Sequence, residues 1–168
     1  MKSILFILTL SVLALPAAAQ YEADVASEDA IIEALYEVIS GPAGQQRDWD
    51  RFKHLFVEEG RLIPLRLTQE GTAEPMIWSP DAYAERVNDY FLENGFFEIE
   101  IARRSETFGH VTHAFSTYES RQTEADEQPF ARGINSIQLL NDGERWWILN
   151  ITWDAERAGN PIPKKYLK

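Results

Sequence analysis

The segment INSIQLLNDGERWWILNITW, residues 134–153, constrains the fold of this chain more than any other stretch. It predicts a β-hairpin, because two runs rich in aliphatic and aromatic residues flank the turn dipeptide Asp142-Gly143. Both alternating faces of this hairpin are half apolar, whereas a sheet with one face in water alternates apolar with polar residues. The hairpin is therefore not expected to form an isolated sheet with one wet face.

A two-residue type I′ turn at Asp142-Gly143 would fix the register of every pair behind it. One face then carries four cross-strand pairs, which are Leu139 with Trp146, Ile137 with Ile148, Asn135 with Asn150, and Gly133 with Thr152. The other face carries an apolar stripe of Trp147, Leu149, Ile151 and Trp153. In this register Asn135 and Asn150 face each other, with Cβ atoms roughly 4.5–5.5 Å apart.

Three helices are predicted before the strands. The first spans about Glu28 to Ser40 behind the capping residue Ser27. The second is short, lies in DWDRFKHLFVEEG and ends at Gly60, and the third runs from Ser79-Pro80-Asp81 to about Leu92. The segment RLIPLRL, residues 61–67, is expected to be extended, with its proline at an edge or strand end. Since strands follow Gly95, the pattern predicts an α+β domain with helices against one face of an antiparallel sheet.

The N-terminus, MKSILFILTLSVLALPAAAQ, predicts a secretory signal peptide over residues 1–19. A positive residue, Lys2, precedes an apolar run that ends before Pro16, and three alanines follow it. This run is shorter than the roughly 20 apolar residues that a membrane-spanning helix needs. We therefore expect a single exported domain over residues 20–168, with a periplasmic or secreted location.

Composition excludes several classes of partner and chemistry. The chain has no cysteine, so disulfides, thiolate catalysis and thiolate metal ligands are ruled out. Its net charge is −11, and loss of Lys2 with the leader makes the domain more negative. Such a surface repels phosphate backbones and anionic lipid, so we expect no nucleic acid partner, and no membrane partner after cleavage.

The order and spacing of these elements resemble the nuclear transport factor 2-like (NTF2-like) superfamily, in its bacterial SnoaL-like branch. The segments that carry the resemblance are DWDRFKHLFVEEGRL, FGHVTHAFSTYESR and PFARGINSIQLLNDGERWWILNITW, with a closing pattern of Trp146, Ile148 and Trp153. The resemblance implies a cone-shaped fold, in which a curved antiparallel sheet of the cystatin-like type wraps around three N-terminal helices. It also implies that the Trp-x-Ile residues face the helices and that a pocket opens between helices and sheet.

Asn135 and Asn150 are the main candidates for the wall of this pocket. Each buried donor or acceptor of an amide that lacks a partner costs about 1–3 kcal/mol, so both side chains must be satisfied. They can satisfy each other or a buried water, or they can hold a ligand. Trp78 is a further candidate, either to close the pocket mouth or to pack on the third helix as a hydrophobic staple.

Catalytic candidates are fewer. Related enzymes on this fold include ketosteroid isomerases and polyketide cyclases, and the resemblance implies a carboxylate base on the strand after the second helix. Here residues 61–65 read Arg-Leu-Ile-Pro-Leu and hold no carboxylate. Tyr36 and His113 remain as candidate acids or bases, although residues of both types in such positions more often serve packing. Alternation in strand 110–121 does not decide which of its faces, that of His113 or that of Thr112, lines the pocket.

No cofactor or metal is predicted. His110 and His113 are three residues apart on a predicted strand and therefore point to opposite faces. The sequence holds no glycine-rich phosphate loop and no Gly-x-Ser-x-Gly turn of a serine hydrolase.

The leading hypothesis is an exported domain that binds a small, partly apolar ligand, with catalysis left open. One rival is a lyase or isomerase that uses Tyr36 or His113 as acid or base. The other is a pure dimerisation module whose cavity is filled by side chains. A homodimer through the apolar stripe is expected in any case, since such a patch is unusual on a monomer.

We expect signal peptidase to cleave the chain between Ala19 and Gln20, because Ala17 and Ala19 give the small-x-small pattern that the enzyme accepts. The intact mass of protein recovered from a bacterial periplasm should correspond to a chain that starts at Gln20. Recovery of the chain with its leader still attached would contradict this prediction.

Overall fold

The structure is a computed structural model that describes residues 20–168. The predicted signal peptide, residues 1–19, lies outside the described residues. The regular elements are α1 (Glu28–Ile39), α2 (Trp49–His54), β1 (Phe56–Leu67), β2 (Ala73–Pro75), α3 (Pro80–Asn94), β3 (Phe97–Phe108), β4 (Val111–Arg121), β5 (Ala131–Asn141) and β6 (Trp146–Ala155). Short 3₁₀ turns cover Glu22–Val25 and Lys164–Tyr166.

The first and third helices begin where the sequence predicts. The side chain of Ser27 accepts a hydrogen bond from the backbone N–H of Ala30, and Ser79 accepts one from Ala82. Each serine satisfies a helix N–H that would otherwise lack a partner. The third helix is slightly longer than predicted and ends at Asn94, before Gly95 at φ 71°.

The predicted end of the second helix at Gly60 is wrong. This helix ends at His54, and the chain enters strand β1 at Phe56. The backbone N–H of Ile148 on β6 donates to the carbonyl of Leu55, and Phe56 pairs with Ile148 in parallel. Pairing with β6 therefore overrides the helical spacing of the apolar residues in this segment.

The six strands form one curved, unclosed sheet in the order β2-β1-β6-β5-β4-β3. All pairs are antiparallel except β1 with β6, so the predicted antiparallel sheet is mixed at one seam. Its inner face packs on the helices, and the fully buried core side chains include Ile31, Phe52, Leu55, Ile137, Leu139 and Ile148. The α+β fold with helices gathered at the N-terminus is thus confirmed.

The predicted register of the hairpin between β5 and β6 is wrong in two steps. Asn141 pairs with Trp146, because the side chains of Asn141 and Asp142 accept backbone hydrogen bonds inside a four-residue turn. A β-bulge then leaves Leu149 without a partner in the ladder, since Leu139 pairs with Ile148 and Gln138 with Asn150.

The bulge inverts the faces of the second half of β6. Ile137, Leu139 and Ile148 lie on the inner face, as predicted. Beyond the bulge, Ile151 and Trp153 also turn inward and pack against the core, so the predicted outer apolar stripe loses these two of its four residues.

The C-terminal tail, residues 156–168, lies across part of the outer face. The Thr117 hydroxyl donates to the carbonyl of Tyr166 at 2.7 Å, and the Tyr166 ring lies 4.9 Å from that of Phe115. Ile162 is buried there. The tail therefore covers sheet surface that a dimer interface on this face would use, and homodimer formation stays a prediction.

Among residues 20–168, no helix is long and apolar enough to cross a membrane.

Candidate functional site

A cavity of about 290 Å³ lies between the helices and the inner face of the sheet. Its wall is mainly aliphatic and aromatic, formed by Leu35, Ile39, Phe52, Leu62, Pro64, Trp78, Tyr83, Val87, Phe91, Phe96, Phe130, Ile151 and Trp153 among others. Phe130 is 55% exposed and marks where the cavity reaches the surface. Four polar side chains converge on it deeper in the fold, those of Glu98, Tyr118, Ser120 and Asn135.

A second cavity, of about 340 Å³, lies on the outer face beneath the tail and is lined by Phe115, Ile134 and Tyr166 among others. We place the candidate site in the inner cavity instead. A carboxyl, an amide and two tyrosine side chains meet there on an apolar wall, which is the usual composition of a small-molecule site.

Glu98 is the central polar residue of the inner cavity. It lies on β3 opposite Ser120 of β4, and the Ser120 hydroxyl donates to its carboxyl oxygen at 2.7 Å. Burial raises the pKa of Glu98 to about 7, although hydrogen bonds from Ser120 and Asn135 oppose the increase. Its side chain is half-buried, and it lines both the inner cavity and an open surface groove between α1 and β3.

Two tyrosines accompany this carboxyl. Burial, reinforced by the charge of Glu98, raises the pKa of both Tyr83 and Tyr118, so both phenols stay protonated. The ring of Tyr118 depends on Gly133 across the strand pair, because a Cβ atom there would lie 2.5 Å from the Tyr118 hydroxyl oxygen. It would also lie 2.5 Å from the backbone carbonyl of Asp154, which cannot easily move.

A buried chain of hydrogen bonds connects the cavity wall to a surface carboxylate. The Asn135 amide nitrogen donates to the Tyr36 hydroxyl at 3.0 Å. The Tyr36 oxygen lies 2.6 Å from the Ser116 hydroxyl, which donates to Glu100 at 2.5 Å. Burial raises the pKa of Tyr36, so this phenol is also neutral.

Three of the residues singled out from the sequence lie at the site. Asn135 is 6% exposed and lines the cavity, and Tyr36 is its hydrogen-bond partner. Trp78 also lines the cavity, held by two backbone hydrogen bonds to Leu62 and with the Arg86 guanidinium 5.1 Å from its ring centre. Whether they bind a ligand stays a prediction.

The other two lie elsewhere. The predicted pairing of Asn150 with Asn135 is wrong, because the bulge at Leu149 turns Asn150 to the outer face, where it pairs with Gln138. His113 also lies on the outer face, with its Nε2 atom 2.9 Å from the Ser136 hydroxyl. The inner face of β4 is the one with Thr112, so His113 does not reach the cavity.

Glu98 is the functional candidate that sequence reasoning missed. The stretch FFEIEIARR suggests glutamates in water and isoleucines in the core, but the structure shows the reverse. Ile99 and Ile101 are 48% and 37% exposed on the edge strand, while Glu98 and Glu100 point inward. The sequence feature that could have identified Glu98 is the row of small polar residues on β4, which are Thr112, Ser116 and Ser120. Such residues leave space beside a neighbouring carboxyl and can donate hydrogen bonds to it.

The part of the chain that the structure describes holds no group of three or more His, Asp or Glu side chains arranged to bind a metal ion.

Neither a protein-family model nor a curated protein sequence matches this chain. Solved structures do share its fold. A protein of unknown function with a cystatin-like fold from Nostoc punctiforme PCC 73102 aligns with TM-score 0.57 and 9% identity, over 76% of this chain and 87% of that chain. An NTF2-like protein of unknown function from Silicibacter pomeroyi DSS-3 aligns with TM-score 0.51 and 15% identity, over 84% and 100%. Another from Shewanella baltica OS155 gives 0.50 and 11%, over 86% and 99%.

These likenesses show the fold alone, since all three identities are low. The chain has the NTF2-like, cystatin-like fold, as the sequence resemblance implied. Its placement in the SnoaL-like branch stays a prediction.

We expect Glu98→Gln to change how stability depends on pH. In the native protein Glu98 holds its proton up to about pH 7, whereas an unfolded glutamate releases it near its ordinary pKa of 4.5. Between these values the native state binds more protons than the unfolded state, so the free energy of unfolding falls as pH rises. Glu98→Gln lacks this fall and should gain about 1–3 kcal/mol relative to the unaltered protein between pH 4.5 and pH 8.

Urea unfolding followed by tryptophan fluorescence at several pH values measures this difference. Glu85→Gln is the matched control, because Glu85 is exposed on α3 and its replacement should show no such trend. A difference between Glu98→Gln and the unaltered protein that is constant with pH would contradict a raised pKa.

Proposed function

We propose that this protein is an exported domain that binds a small, partly apolar molecule with one or two aromatic rings in the inner cavity. The observation that carries the proposal is an aromatic-walled cavity of about 290 Å³ that holds one half-buried carboxyl, Glu98, and one buried amide, Asn135. The export part of the proposal rests on the N-terminal sequence alone.

The size and wall of the cavity support this class of ligand. Its volume is near the lower end of the roughly 300–1,000 Å³ typical of ligand sites, which favours a compact ring system. Phe91 and Phe96 stack with ring centres 4.4 Å apart, and Tyr83 packs edge-on to Trp153, so the wall presents both faces and edges of aromatic rings. A planar apolar ligand gains contact area from such surfaces at little entropic cost.

The open cavity favours ligand binding over a pure association module. Large side chains surround the space but do not fill it. Buried polar groups on an apolar wall cost stability unless they are satisfied, and a site for a polar ligand group accounts for their presence.

Acid–base catalysis is the second candidate function, and one observation favours it. A carboxyl with a pKa of about 7 inside an apolar cavity is suited to accept and return a proton near neutral pH. This assigns the role to Glu98 rather than to His113 or Tyr36. The neutral phenols of Tyr83 and Tyr118 would then stabilise negative charge that develops on the substrate.

Binding is tested with 2-naphthol, a neutral two-ring probe, by isothermal titration and by chemical-shift perturbation. We expect 2-naphthol to shift the resonances of cavity residues such as Trp78 and Trp153. Ala131→Trp should weaken binding at least tenfold, because Ala131 lines the cavity and the new ring would occupy it. Ala155→Trp is the matched control, because Ala155 is exposed at the end of β6, and this variant should bind 2-naphthol as tightly as the unaltered protein. Undiminished binding by Ala131→Trp would contradict the assignment to this cavity.

Catalysis is tested with 5-nitrobenzisoxazole, an aromatic probe for a general base. The base removes the proton on C3, the C–H electron pair forms the nitrile, and the N–O bond breaks to release a coloured cyanonitrophenolate. We expect kcat/KM to rise with pH through about 7 as Glu98 ionises. Glu98→Gln should lower it by at least the roughly 10²-fold typical of a general base, with Glu85→Gln unchanged. Equal rates for Glu98→Gln and the unaltered protein would remove the catalytic candidate and leave the binding proposal standing.

A further inference from the structure

The hydrogen-bond chain behind the cavity is anchored at an ion pair on the protein surface. Glu100 Oε1 lies 3.2 Å from the Nε atom of Arg103, and the same oxygen accepts the hydrogen bond from Ser116 at 2.5 Å. Arg103 also pairs with Asp29 at 2.8 Å. An oxygen that faces a guanidinium N–H acts as an acceptor, whether or not the other oxygen of that carboxyl carries a proton.

This anchor fixes the direction of every hydrogen bond in the chain. Because the single hydroxyl proton of Ser116 is used on Glu100, Ser116 can only accept from the Tyr36 hydroxyl, 2.6 Å away. The Tyr36 proton is then used as well, so the Tyr36 oxygen must accept from Asn135. The atom of Asn135 that lies 3.0 Å from Tyr36 is therefore its amide nitrogen.

The orientation of Asn135 determines what it offers to the cavity. Its nitrogen donates to the Tyr36 hydroxyl. Its oxygen, Oδ1, accepts no hydrogen bond from the described part of the chain. In the described part of the chain, the fully buried side-chain polar atoms without a hydrogen-bond partner are Arg103 Nη1 and Arg132 Nε. Asn135 Oδ1 is not one of them, so it keeps some accessible surface. Asn135 is 6% exposed and lines the cavity, so Oδ1 is an acceptor that only a molecule inside the cavity can reach.

We propose that the polar group of the ligand is a hydrogen-bond donor, a hydroxyl or an amine N–H on an aromatic ring, and that Asn135 Oδ1 receives it. This inference rests on the proposed function, since it requires that a small molecule enters the cavity. Asn135 is the contacting residue, while Tyr36, Ser116 and Glu100 are positioning residues that hold the amide in one orientation.

The remaining polar groups of the cavity are compatible with a donor. An ionised Glu98 can only accept, and the Tyr83 and Tyr118 hydroxyls can either donate or accept as the ligand requires. An acceptor-only ligand would leave Asn135 Oδ1 without a partner in a closed apolar space, which is the more costly outcome for a buried carbonyl.

The test compares three probes of nearly equal size at pH 8: 2-naphthol, which donates; 2-cyanonaphthalene, which only accepts; and 2-fluoronaphthalene, which has no polar hydrogen. We expect 2-naphthol to bind the unaltered protein at least tenfold more tightly than either of the others. 2-Fluoronaphthalene is more hydrophobic than 2-naphthol. Hydrophobic burial alone would therefore make 2-fluoronaphthalene the tighter binder of the two, which is the opposite of the expected order. Dissociation constants come from isothermal titration or ligand-detected NMR.

Variants at Glu100 test the positioning chain without touching the cavity wall. Glu100→Gln keeps an oxygen that can face Arg103 and should retain the tenfold preference. Glu100→Met removes the acceptor, frees Ser116 and Tyr36 to reverse, and should reduce the preference to less than threefold. A purely structural role of Glu100 would weaken all three probes equally and leave their ratio unchanged. Urea midpoints confirm that each variant is folded. The relative affinities of the three probes for the unaltered protein test the donor assignment even if a variant fails to fold.

The possible results separate this inference from the proposed function. Equal binding of the three probes, or tighter binding of 2-cyanonaphthalene, would overturn the donor assignment while leaving a ligand cavity in place. Failure of all three probes to bind would overturn the proposed binding of small aromatic molecules itself. A preference for 2-naphthol that survives in Glu100→Met would overturn the role of the chain.

Discussion

The β-bulge at Leu149 is the constraint on which the cavity depends. The side-chain direction alternates along a strand, so one unpaired residue exchanges the two faces of everything beyond it. Without the bulge, Ile151 and Trp153 would lie on the outer face, and Asn150 and Thr152 would point at the helices. With it, an aliphatic and an indole side chain complete the apolar wall, and Asn135 is opposite Trp153 instead of a second amide. The cavity thus has a mostly apolar surface in which a few polar groups can discriminate between ligands.

The carboxyl among those polar groups, Glu98, points inward because the usual alternation of an edge strand is reversed on β3. Two isoleucines are exposed and two glutamates lie on the inner face, an arrangement that gives up apolar burial and raises the pKa of one carboxyl, that of Glu98. Each lost isoleucine burial forgoes up to about 1.5–3 kcal/mol. A fold selected for stability alone gains nothing from this exchange. The reversal supports the role proposed for Glu98, because departures from the stable pattern concentrate at functional sites.

Sequence patterns predicted the elements whose signals are local. The Ser27 and Ser79 caps, the helices behind them and the change to strands after Gly95 were recovered, and Asn135 was identified because an amide interrupts an apolar run. The register of β6 was not predictable in the same way. The four-residue turn depends on hydrogen bonds that the Asn141 and Asp142 side chains accept, which override the two-residue turn that Asp-Gly favours. The bulge depends on packing between strands, which the sequence of one strand does not encode. Glu98 was missed for a related reason. Its inward direction follows from a bulge at Ile101 between β3 and β4, so simple alternation assigns it to solvent.

The net charge of the protein restricts the class of ligand in the same way as Asn135 does, because both disfavour an anion. The chain carries a net charge of −11, and an anion approaching the cavity would meet that field before it met the additional charge of an ionised Glu98. Inside the apolar cavity the repulsion would be stronger, because two like charges interact more strongly where water is excluded. Among the cavity-lining residues, none is a lysine, arginine or histidine that could offset it. Under the proposed function, aromatic acids would therefore be disfavoured both by charge and by the acceptor at Asn135, whereas phenols and aromatic amines would satisfy Asn135 Oδ1 without bringing negative charge to Glu98.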